Sequence, residues 1–190
     1  MWQNFEGRTR NLFYTRLREA EYLKIKKMHL TQKPILLVGM MGAGKSTLGA
    51  LLAEALGRDF YDCDGEIEKQ AGKKVAEIFE REGEDFFRKL EAAILDSLLE
   101  EENAVIAAGG GTLESEMATT IWLTGEPEVL FERAHKGPVR PKLGDFENYS
   151  ALYETRKADY AKADFQIDNS ATSPHLALNE ILKVLNDHRN

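Results

Sequence analysis

The stretch LLVGMMGAGKSTLG, residues 36–49, decides the fold because it joins a predicted strand to a predicted helix through a glycine-rich turn. The run Ile35–Val38 is short, continuous and apolar, a pattern typical of a strand that is buried on both faces. The segment from Thr47 to Leu56 has apolar residues at helical spacing and stops at Gly57, a common residue just after a helix. The glycines therefore belong to a turn between a buried strand and a helix.

The spacing from Gly39 to Ser46 matches G-x-x-x-x-G-K-S, the P-loop that binds the phosphates of nucleotides. Glycines let successive backbone N–H groups point toward a phosphate chain, and the start of a helix adds partial positive charge. Lys45 can then reach the β- and γ-phosphates, and the Ser46 hydroxyl can bind Mg²⁺. An ordinary turn with an exposed lysine is the alternative, but the flanking strand and helix favour a site for a nucleoside triphosphate.

The composition fits one globular domain with an extension. The 190 residues are 43% hydrophobic, which is enough to build one core. No apolar run is long enough to cross a membrane and no secretory signal is recognised, so we expect a cytoplasmic chain without a membrane partner. The single cysteine, Cys63, cannot form an internal disulfide, as is usual in a reducing compartment. The net charge of −7 argues against nucleic acid as a partner, and we expect a monomer.

Positive charge is concentrated in residues 1–33, which contain eight Lys and Arg residues against three Glu residues. We interpret this segment as a basic N-terminal extension that precedes a domain over residues 34–190. The extension could bind an anionic partner, but its weak apolar pattern favours a poorly ordered or loosely packed leader. It is a poor match to a transit peptide because it has no apolar run and carries acidic residues.

Strand and helix patterns alternate over the rest of the chain. After the first predicted strand, four more are predicted at residues 59–62, 104–108, 120–123 and 165–168. Helical patterns are found at residues 47–56, 65–70, 75–81, 84–101, 127–135 and 174–187. This alternation predicts an α/β fold with a parallel sheet that is covered by helices on both faces. Ligands of such folds bind beyond the carboxyl ends of the strands.

Three clusters of candidate functional residues lie at or between those strand ends. Asp62 and Asp64 end the second strand, residues 109–111 are three glycines after the third strand, and Arg88 lies on the helix between them. A phosphotransferase needs an acid near Mg²⁺, an acid near the attacking hydroxyl and cations for anionic groups. A solvated turn with a capping aspartate would explain a lone D-x-D. Three glycines after a buried strand weaken it unless another group must approach the backbone.

Together these motifs resemble the shikimate kinase family. The matching motifs are GMMGAGKST from Gly39, FYDCD from Phe60, FEREGEDFFRKLE from Phe79, AAGGGT from Ala107, and Arg140-Pro141. The likeness covers most of residues 33–187 and implies a three-layer P-loop kinase fold with a five-stranded parallel sheet. It also implies transfer of the γ-phosphate of ATP to the 3-hydroxyl of shikimate, on the path to chorismate and aromatic amino acids. The implied cofactors are ATP and Mg²⁺, and the implied substrate is shikimate.

The resemblance implies roles for the residues around the phosphates. The residues that would surround the phosphate chain are Gly42, Ala43, Gly44, Lys45, Ser46 and Thr47. Lys45 would neutralise charge on the transferred group, while Ser46 and Asp62 would bind Mg²⁺, Asp62 through water. Asp64 would accept hydrogen bonds from shikimate hydroxyls and help to deprotonate the attacking one.

The resemblance also implies two arginines and a lid at the nucleotide. Arg133 resembles the arginine that stacks on adenine, and Arg140 would close over ATP. Arg140 lies in residues 136–150, which are rich in turn formers and poor in helical pattern, so we predict a mobile lid loop there. The alternative for each arginine is an ordinary surface charge.

For the substrate, the resemblance assigns the carboxylate of shikimate to Arg88 and Arg156. A planar guanidinium offers two parallel donors to a carboxylate, which a lysine cannot do. Glu91, three residues after Arg88, would orient it from the same helical face. Gly110 and Gly111 would offer backbone N–H groups to the ring hydroxyls or to the carboxylate.

The chain departs from the family pattern in two places that matter here. The segment between the glycine turn and the next strand is shortened to residues 112–119, and the arginine that usually follows the last strand is replaced within residues 169–171. Two alternatives remain open: a related small-molecule kinase of the gluconate type, or a degenerate module that binds nucleotide and regulates a partner. Asp64 and Arg88 favour a hydroxylated carboxylic acid as acceptor, and the intact phosphate residues argue against the module.

Overall fold

Strands and helices alternate along the part of the chain that the computed structural model describes, residues 33–109, 115–136, 143–170 and 173–187. The strands are β1 Ile35–Val38, β2 Asp59–Asp62, β3 Ala104–Ala107, β4 Thr119–Thr124 and β5 Phe165–Asp168. The helices in these ranges are α1 Lys45–Leu56, α2 Cys63–Ala71, α3 Val75–Arg81, α4 Glu84–Leu99, α5 Pro127–His135, α6 Phe146–Tyr160 and α7 Pro174–Asp187. The predicted basic extension lies, except for its last residue, outside the described ranges.

The strands form one parallel sheet in the order β2-β3-β1-β4-β5. β1 is the central strand, and its Ile35 is paired with Val105 on one side and Thr119 on the other. Every residue of β1 is completely buried, which requires packed layers on both faces of the sheet. The predicted fold class is confirmed. Because all five strands are parallel, their carboxyl ends lie at one edge, where the P-loop begins.

The helices begin and end near the predicted positions, with small differences that have local causes. α1 begins at Lys45, two residues earlier than predicted, directly after Gly44. α2 begins at Cys63 because the Asp62 carboxylate caps it, accepting hydrogen bonds from the backbone N–H groups of Asp64 at 3.1 Å and Gly65 at 3.4 Å. In the described ranges, no helix has the length and apolar character that a membrane span requires.

Helix α6 corrects the prediction of a lid loop over residues 136–150. The helix begins at Phe146, so that prediction is wrong for residues 146–150, while residues 137–142 lie outside the described ranges. The carboxylate of Asp145 accepts a hydrogen bond from a backbone N–H group in the first turn and caps the helix.

The first turn of α6 is anchored to the P-loop. Tyr149 is completely buried, and its hydroxyl donates a hydrogen bond of 2.7 Å to the carbonyl oxygen of Met41. Its ring also contacts Phe131 of α5, with 5.3 Å between the ring centroids. A buried tyrosine therefore couples the position of α6 to the loop that follows β1.

Candidate active site

The loop between β1 and α1 depends on glycine for both its backbone conformation and its close packing. Gly39, Gly42 and Gly44 have φ angles of 141°, 79° and 88°, in the region that other residues rarely adopt. A Cβ atom on Gly42 would lie 1.9 Å from the carbonyl oxygen of Leu130 in α5, and one on Gly39 would lie 2.5 Å from that of Leu123. The spacing of the motif is thus required by the way this loop packs against β4 and α5.

Lys45, the first residue of α1, extends back along this loop. Its Nζ atom donates hydrogen bonds to the carbonyl oxygens of Gly39 at 2.7 Å and Met40 at 3.1 Å. These contacts hold the ammonium group at the loop, next to the start of a helix. A fixed cation at this position can stabilise negative charge on a bound phosphate chain.

Ser46 and Asp62 form the pair that was predicted to bind Mg²⁺. The Ser46 hydroxyl donates a hydrogen bond to Oδ2 of Asp62, while Oδ1 of Asp62 caps α2. A hydroxyl beside a carboxylate fits Mg²⁺, which binds hard oxygen atoms and is usually held by one or two carboxylates together with water and phosphate. The described residues contain no cluster of three or more His, Cys, Asp or Glu side chains suited to a metal ion.

A cavity of about 310 Å³ lies beyond the carboxyl ends of β1, β2 and β3. It is lined by Gly42, Gly44, Lys45, Ser46, Thr47, Asp62, Asp64, Ala108, Arg133 and Ala134. The structure therefore brings the predicted phosphate and metal residues together with Asp64 and Arg133. Ala43 is completely buried and supports the loop through its backbone.

The guanidinium of Arg133 is held by the loop that follows β5. It donates hydrogen bonds to the carbonyl oxygens of Asn169 and Ser170, the second at 3.1 Å. Asn169 is 5% exposed, and its side-chain Nδ2 donates a hydrogen bond of 2.8 Å to the carbonyl oxygen of Ala43. Sequence reasoning missed Asn169, because its contact with Ala43 joins residues 126 positions apart and no local pattern marks it.

Arg88 lies on α4 and is held by two acidic residues of the same helix. Its Nη1 donates to Oε2 of Glu91 at 2.5 Å, and its Nε donates to Oε1 of Glu84 at 3.4 Å. Glu91 is only 4% exposed, so the predicted pairing of Arg88 and Glu91 is a partly buried ion pair. Burial lowers the pKa of Arg88, but the bond to Glu91 and the two carboxylate charges outweigh it and raise the pKa overall.

Glu91 also sets the packing at the glycine turn. A Cβ atom on Gly109 would lie 1.9 Å from Oε1 of Glu91, so the carboxylate occupies the space that a side chain at Gly109 would need. Glu91 therefore contacts Arg88 with one oxygen and the backbone after β3 with the other. Gly110 and Gly111, the predicted donors to the substrate, lie outside the described residues.

Arg156 lies on α6, one turn before Tyr160. Tyr160 is completely buried and its ring stacks on Trp122 of β4, with 5.9 Å between the centroids. Burial raises the pKa of the Tyr160 hydroxyl, while the nearby charges of Arg156 and Arg88 lower it and that of Glu91 raises it. Arg88 and Arg156, which are far apart in the sequence, thus lie around one buried tyrosine. Arg140 lies outside the described residues.

Cys63 lies between the two aspartates of the site but is shielded from the cavity. It is 1% exposed, and burial, together with the charges of Asp62 and Asp64, raises the pKa of its thiol to about 12. The thiolate is the reactive form of cysteine, so this thiol is suited to packing and not to nucleophilic chemistry.

Comparison with known proteins points to one family. A family model described as shikimate kinase matches residues 41–186. The shikimate kinase of Persephonella marina is 43% identical over 157 residues, which cover 78% of this chain and 96% of the relative. The solved structure of shikimate kinase from Acinetobacter baumannii in complex with shikimate has a TM-score of 0.80 at 30% identity, covering 88% of this chain and 98% of that one.

A gluconokinase structure is also similar, but more distantly. The enzyme from Sinorhizobium meliloti has a TM-score of 0.53 at 18% identity, covering 85% of this chain and 100% of that one. At this level of identity the likeness concerns the fold alone. It gives no support to gluconate as the acceptor.

Proposed function

The chain belongs to the shikimate kinase family, and from this premise we propose which of its residues carry out the phosphate transfer. The enzyme is an ATP-dependent kinase that uses Mg²⁺ and transfers the γ-phosphate of ATP to the 3-hydroxyl of shikimate, a step toward chorismate and aromatic amino acids. The observation that supports the assignment of roles is the cavity in which Lys45, Ser46, Asp62 and Asp64 meet.

The phosphate chain of ATP binds to the loop from Gly42 to Thr47. Lys45, held by two loop carbonyls, places its ammonium group against the charge that develops on the transferred phosphoryl group. Backbone N–H groups at the start of α1 add partial positive charge without any side-chain movement. Catalysis at this end therefore consists of positioning and electrostatic stabilisation.

Ser46 and Asp62 would hold Mg²⁺ with their side-chain oxygen atoms. When bound, the ion neutralises phosphate charge. The two side chains are already in contact with each other, so little reorganisation is needed to present their oxygen atoms.

The acceptor lies on the Asp64 side of the cavity. The Asp64 carboxylate accepts hydrogen bonds from shikimate hydroxyls and can take the proton of the attacking hydroxyl. Arg88 and Arg156 bind the shikimate carboxylate, because two planar guanidinium groups can each offer paired donors to an anion. Glu91 restrains Arg88 in this role.

Four further residues complete the proposal on the basis of the family pattern. Arg133, which lines the cavity, stacks on the adenine ring, and Arg140 closes over ATP. Gly110 and Gly111 donate backbone N–H groups to shikimate. We also propose that the enzyme acts as a cytoplasmic monomer without nucleic-acid or membrane partners. Light scattering after gel filtration tests the oligomeric state.

Turnover with different acceptors tests this function directly. We expect ADP release in a coupled assay with ATP, Mg²⁺ and shikimate, and little release with gluconate or without an acceptor. Faster turnover with gluconate than with shikimate would favour the gluconate-type alternative. Nucleotide binding without turnover on either acid would favour the regulatory module.

A further inference from the structure

One buried amide, that of Asn169, lies directly after β5 and contacts the P-loop. Its Nδ2 donates a hydrogen bond of 2.8 Å to the carbonyl oxygen of Ala43, and its backbone N–H donates one of 2.9 Å to the carbonyl oxygen of Thr124. Only a nitrogen can face a carbonyl oxygen at this distance, so the orientation of the amide is determined by its partner. The side chain is thus fixed between the end of the sheet and the P-loop.

The same residue also holds the arginine of the nucleotide site. The backbone carbonyl oxygens of Asn169 and Ser170 accept hydrogen bonds from Nη1 and Nη2 of Arg133. Because the guanidinium is planar and rigid, hydrogen bonds from two of its nitrogens to two carbonyl oxygens determine the plane of the group as well as its position. Asn169 therefore contacts the P-loop with its side chain and Arg133 with its backbone.

The amide of Asn169 also packs against the last residue of the loop before Lys45. A Cβ atom on Gly44 would lie 2.7 Å from Nδ2 of Asn169, so the amide fills the space beside Gly44. Gly44 and Arg133 both line the cavity, whereas Asn169 does not. Its influence on a ligand must therefore pass through these two neighbours.

We propose that Asn169 is a positioning residue for ATP: its side-chain amide fixes the P-loop at Ala43 and Gly44, and its backbone carbonyl fixes the guanidinium of Arg133. The proposal rests on the proposed function in one respect, namely that the cavity binds ATP. It makes ATP affinity, and not shikimate affinity, depend on a residue that touches neither ligand. It also gives Asn169 and Ser170 a nucleotide-binding role that does not need the arginine found after the last strand in the family.

The substitution Asn169→Asp tests the proposal with almost no change of volume. It replaces the N–H donor with a carboxylate oxygen that faces the carbonyl oxygen of Ala43, and it leaves the backbone carbonyl in place. We expect the KM for ATP and the Kd for ADP to rise about tenfold, the factor that corresponds to a loss of ~1.4 kcal/mol. The KM for shikimate should change by less than about twofold. Asn179→Asp, an equal change of charge at an exposed position of α7, is the matched control and should leave both constants unchanged.

Calorimetry with ADP keeps this test separate from the test of the proposed function. If the unmodified enzyme fails to phosphorylate shikimate, the proposed function is wrong, but the ADP titrations still measure the effect of Asn169. An unchanged Kd for ADP, or equal losses for ADP and shikimate, would overturn the positioning role. If Asn169→Asp does not fold, Asn169→Ser is measured in the same way, and the same selective loss of nucleotide affinity is expected.

Discussion

Lys45 is the residue whose role in catalysis follows most directly from its contacts. Its ammonium group donates partly buried hydrogen bonds to two loop carbonyls, each of which adds only ~1 kcal/mol to folding. We expect Lys45→Ala to abolish turnover while the midpoint of thermal unfolding changes by only a few degrees. The loss should be well over tenfold in kcat, or more than ~1.4 kcal/mol, because a cation acts on charge in the transition state.

Steady-state kinetics and thermal unfolding of the same preparations check this prediction. Lys69→Ala is the matched control, since Lys69 lies on α2 with 77% of its side chain exposed and forms only a surface ion pair. The control should keep full activity. If Lys45→Ala retained more than a tenth of the original kcat, the assignment of Lys45 would be wrong.

Arg88, which we propose binds the acceptor, allows acceptor binding to be tested separately from nucleotide binding. We expect Arg88→Lys to raise the KM for shikimate at least tenfold and to leave the KM for ATP nearly unchanged, because an ammonium group cannot form the paired contact with a carboxylate. Some loss of stability is also expected, since the buried Glu91 keeps a positive neighbour but loses its hydrogen-bond geometry.

Separate titrations with ADP and with shikimate check the role of Arg88. Arg81→Lys is the control, because Arg81 also pairs with a glutamate of its own helix but is 65% exposed. The opposite pattern, with nucleotide affinity lost and shikimate affinity kept, would place Arg88 at the other ligand.

At the scale of single residues, spacing alone was enough to place part of the site. Lys45 and Ser46 have fixed positions in the P-loop motif, and the strand that ends at Asp62 brings its carboxylate to Ser46. Asn169 was not predictable, because its contact with Ala43 joins residues 126 positions apart and leaves no local pattern. The burial of Glu91 was not predictable either, because its carboxylate packs against Gly109, which follows β3 and is distant in the sequence.

At the scale of elements, apolar periodicity located the strands but missed α6. β1, β2 and β5 have the predicted bounds: β1 is a short apolar run that is fully buried, whereas β2 and β5 are partly exposed strands that each end at an aspartate. The buried face of α6 consists of Tyr149, Tyr153 and Tyr160, whose aromatic rings let a helix with few aliphatic residues pack against the core. A prediction based on aliphatic spacing does not detect such a face.

The tyrosines of α6 provide the prediction that belongs to this scale. Tyr160 lies one turn after Arg156 on α6, and the charges of Arg156, Glu91 and Arg88 act on the pKa of its hydroxyl, so we expect it to adjoin the proposed site for the shikimate carboxylate. We expect Tyr160→Phe to raise the KM for shikimate several-fold with little effect on the KM for ATP. The cause is that a buried polar group near the charge of Arg156 is removed while the ring still packs on Trp122.

Tyr153→Phe is the matched control for Tyr160→Phe. Tyr153 is buried on the same helix, and its hydroxyl is 3.0 Å from Oγ1 of Thr124, away from the two arginines. Tyr153→Phe should lose ~1 kcal/mol of stability because its hydroxyl is hydrogen-bonded to Thr124, but only Tyr160→Phe should affect shikimate. Equal kinetic constants in the two variants would mean that Tyr160 acts in the core alone.

At the scale of the whole molecule, the sheet order creates the site. β1 lies between β3 and β4, so the P-loop after β1 meets the aspartates after β2 and the turn after β3 at one edge. Periodicity predicted the strands and their parallel direction but not this order, which depends on packing between distant segments. The resemblance to a known family supplied what the local patterns lacked, and the comparisons confirm it.

Cys63 allows the stability of the whole molecule to be measured through its only thiol. The group is 1% exposed and its pKa is raised to about 12, so at pH 8 it is both covered and protonated. A thiol reagent can react only after the fold opens and exposes the group, at which point its ordinary pKa returns. We therefore expect labelling of the folded enzyme to be slower than labelling of the denatured chain by several orders of magnitude.

Ligands show whether the opening that exposes Cys63 disrupts the active site. Cys63 lies between Asp62 and Asp64. If the opening that exposes Cys63 also separates the site residues at this edge of the sheet, bound ligands must dissociate first. ADP and shikimate bind without turnover, and a ligand present at 100 times its Kd stabilises the folded state by ~2.7 kcal/mol. Labelling measured by mass spectrometry should therefore slow about a hundredfold with ADP, and further with shikimate, but not with gluconate.

Rapid labelling of the folded enzyme would contradict the burial of Cys63. Slow labelling that no ligand changes would mean that α2 opens independently of the site, and the rigid arrangement of Ser46, Asp62 and Asp64 proposed for catalysis would then be wrong.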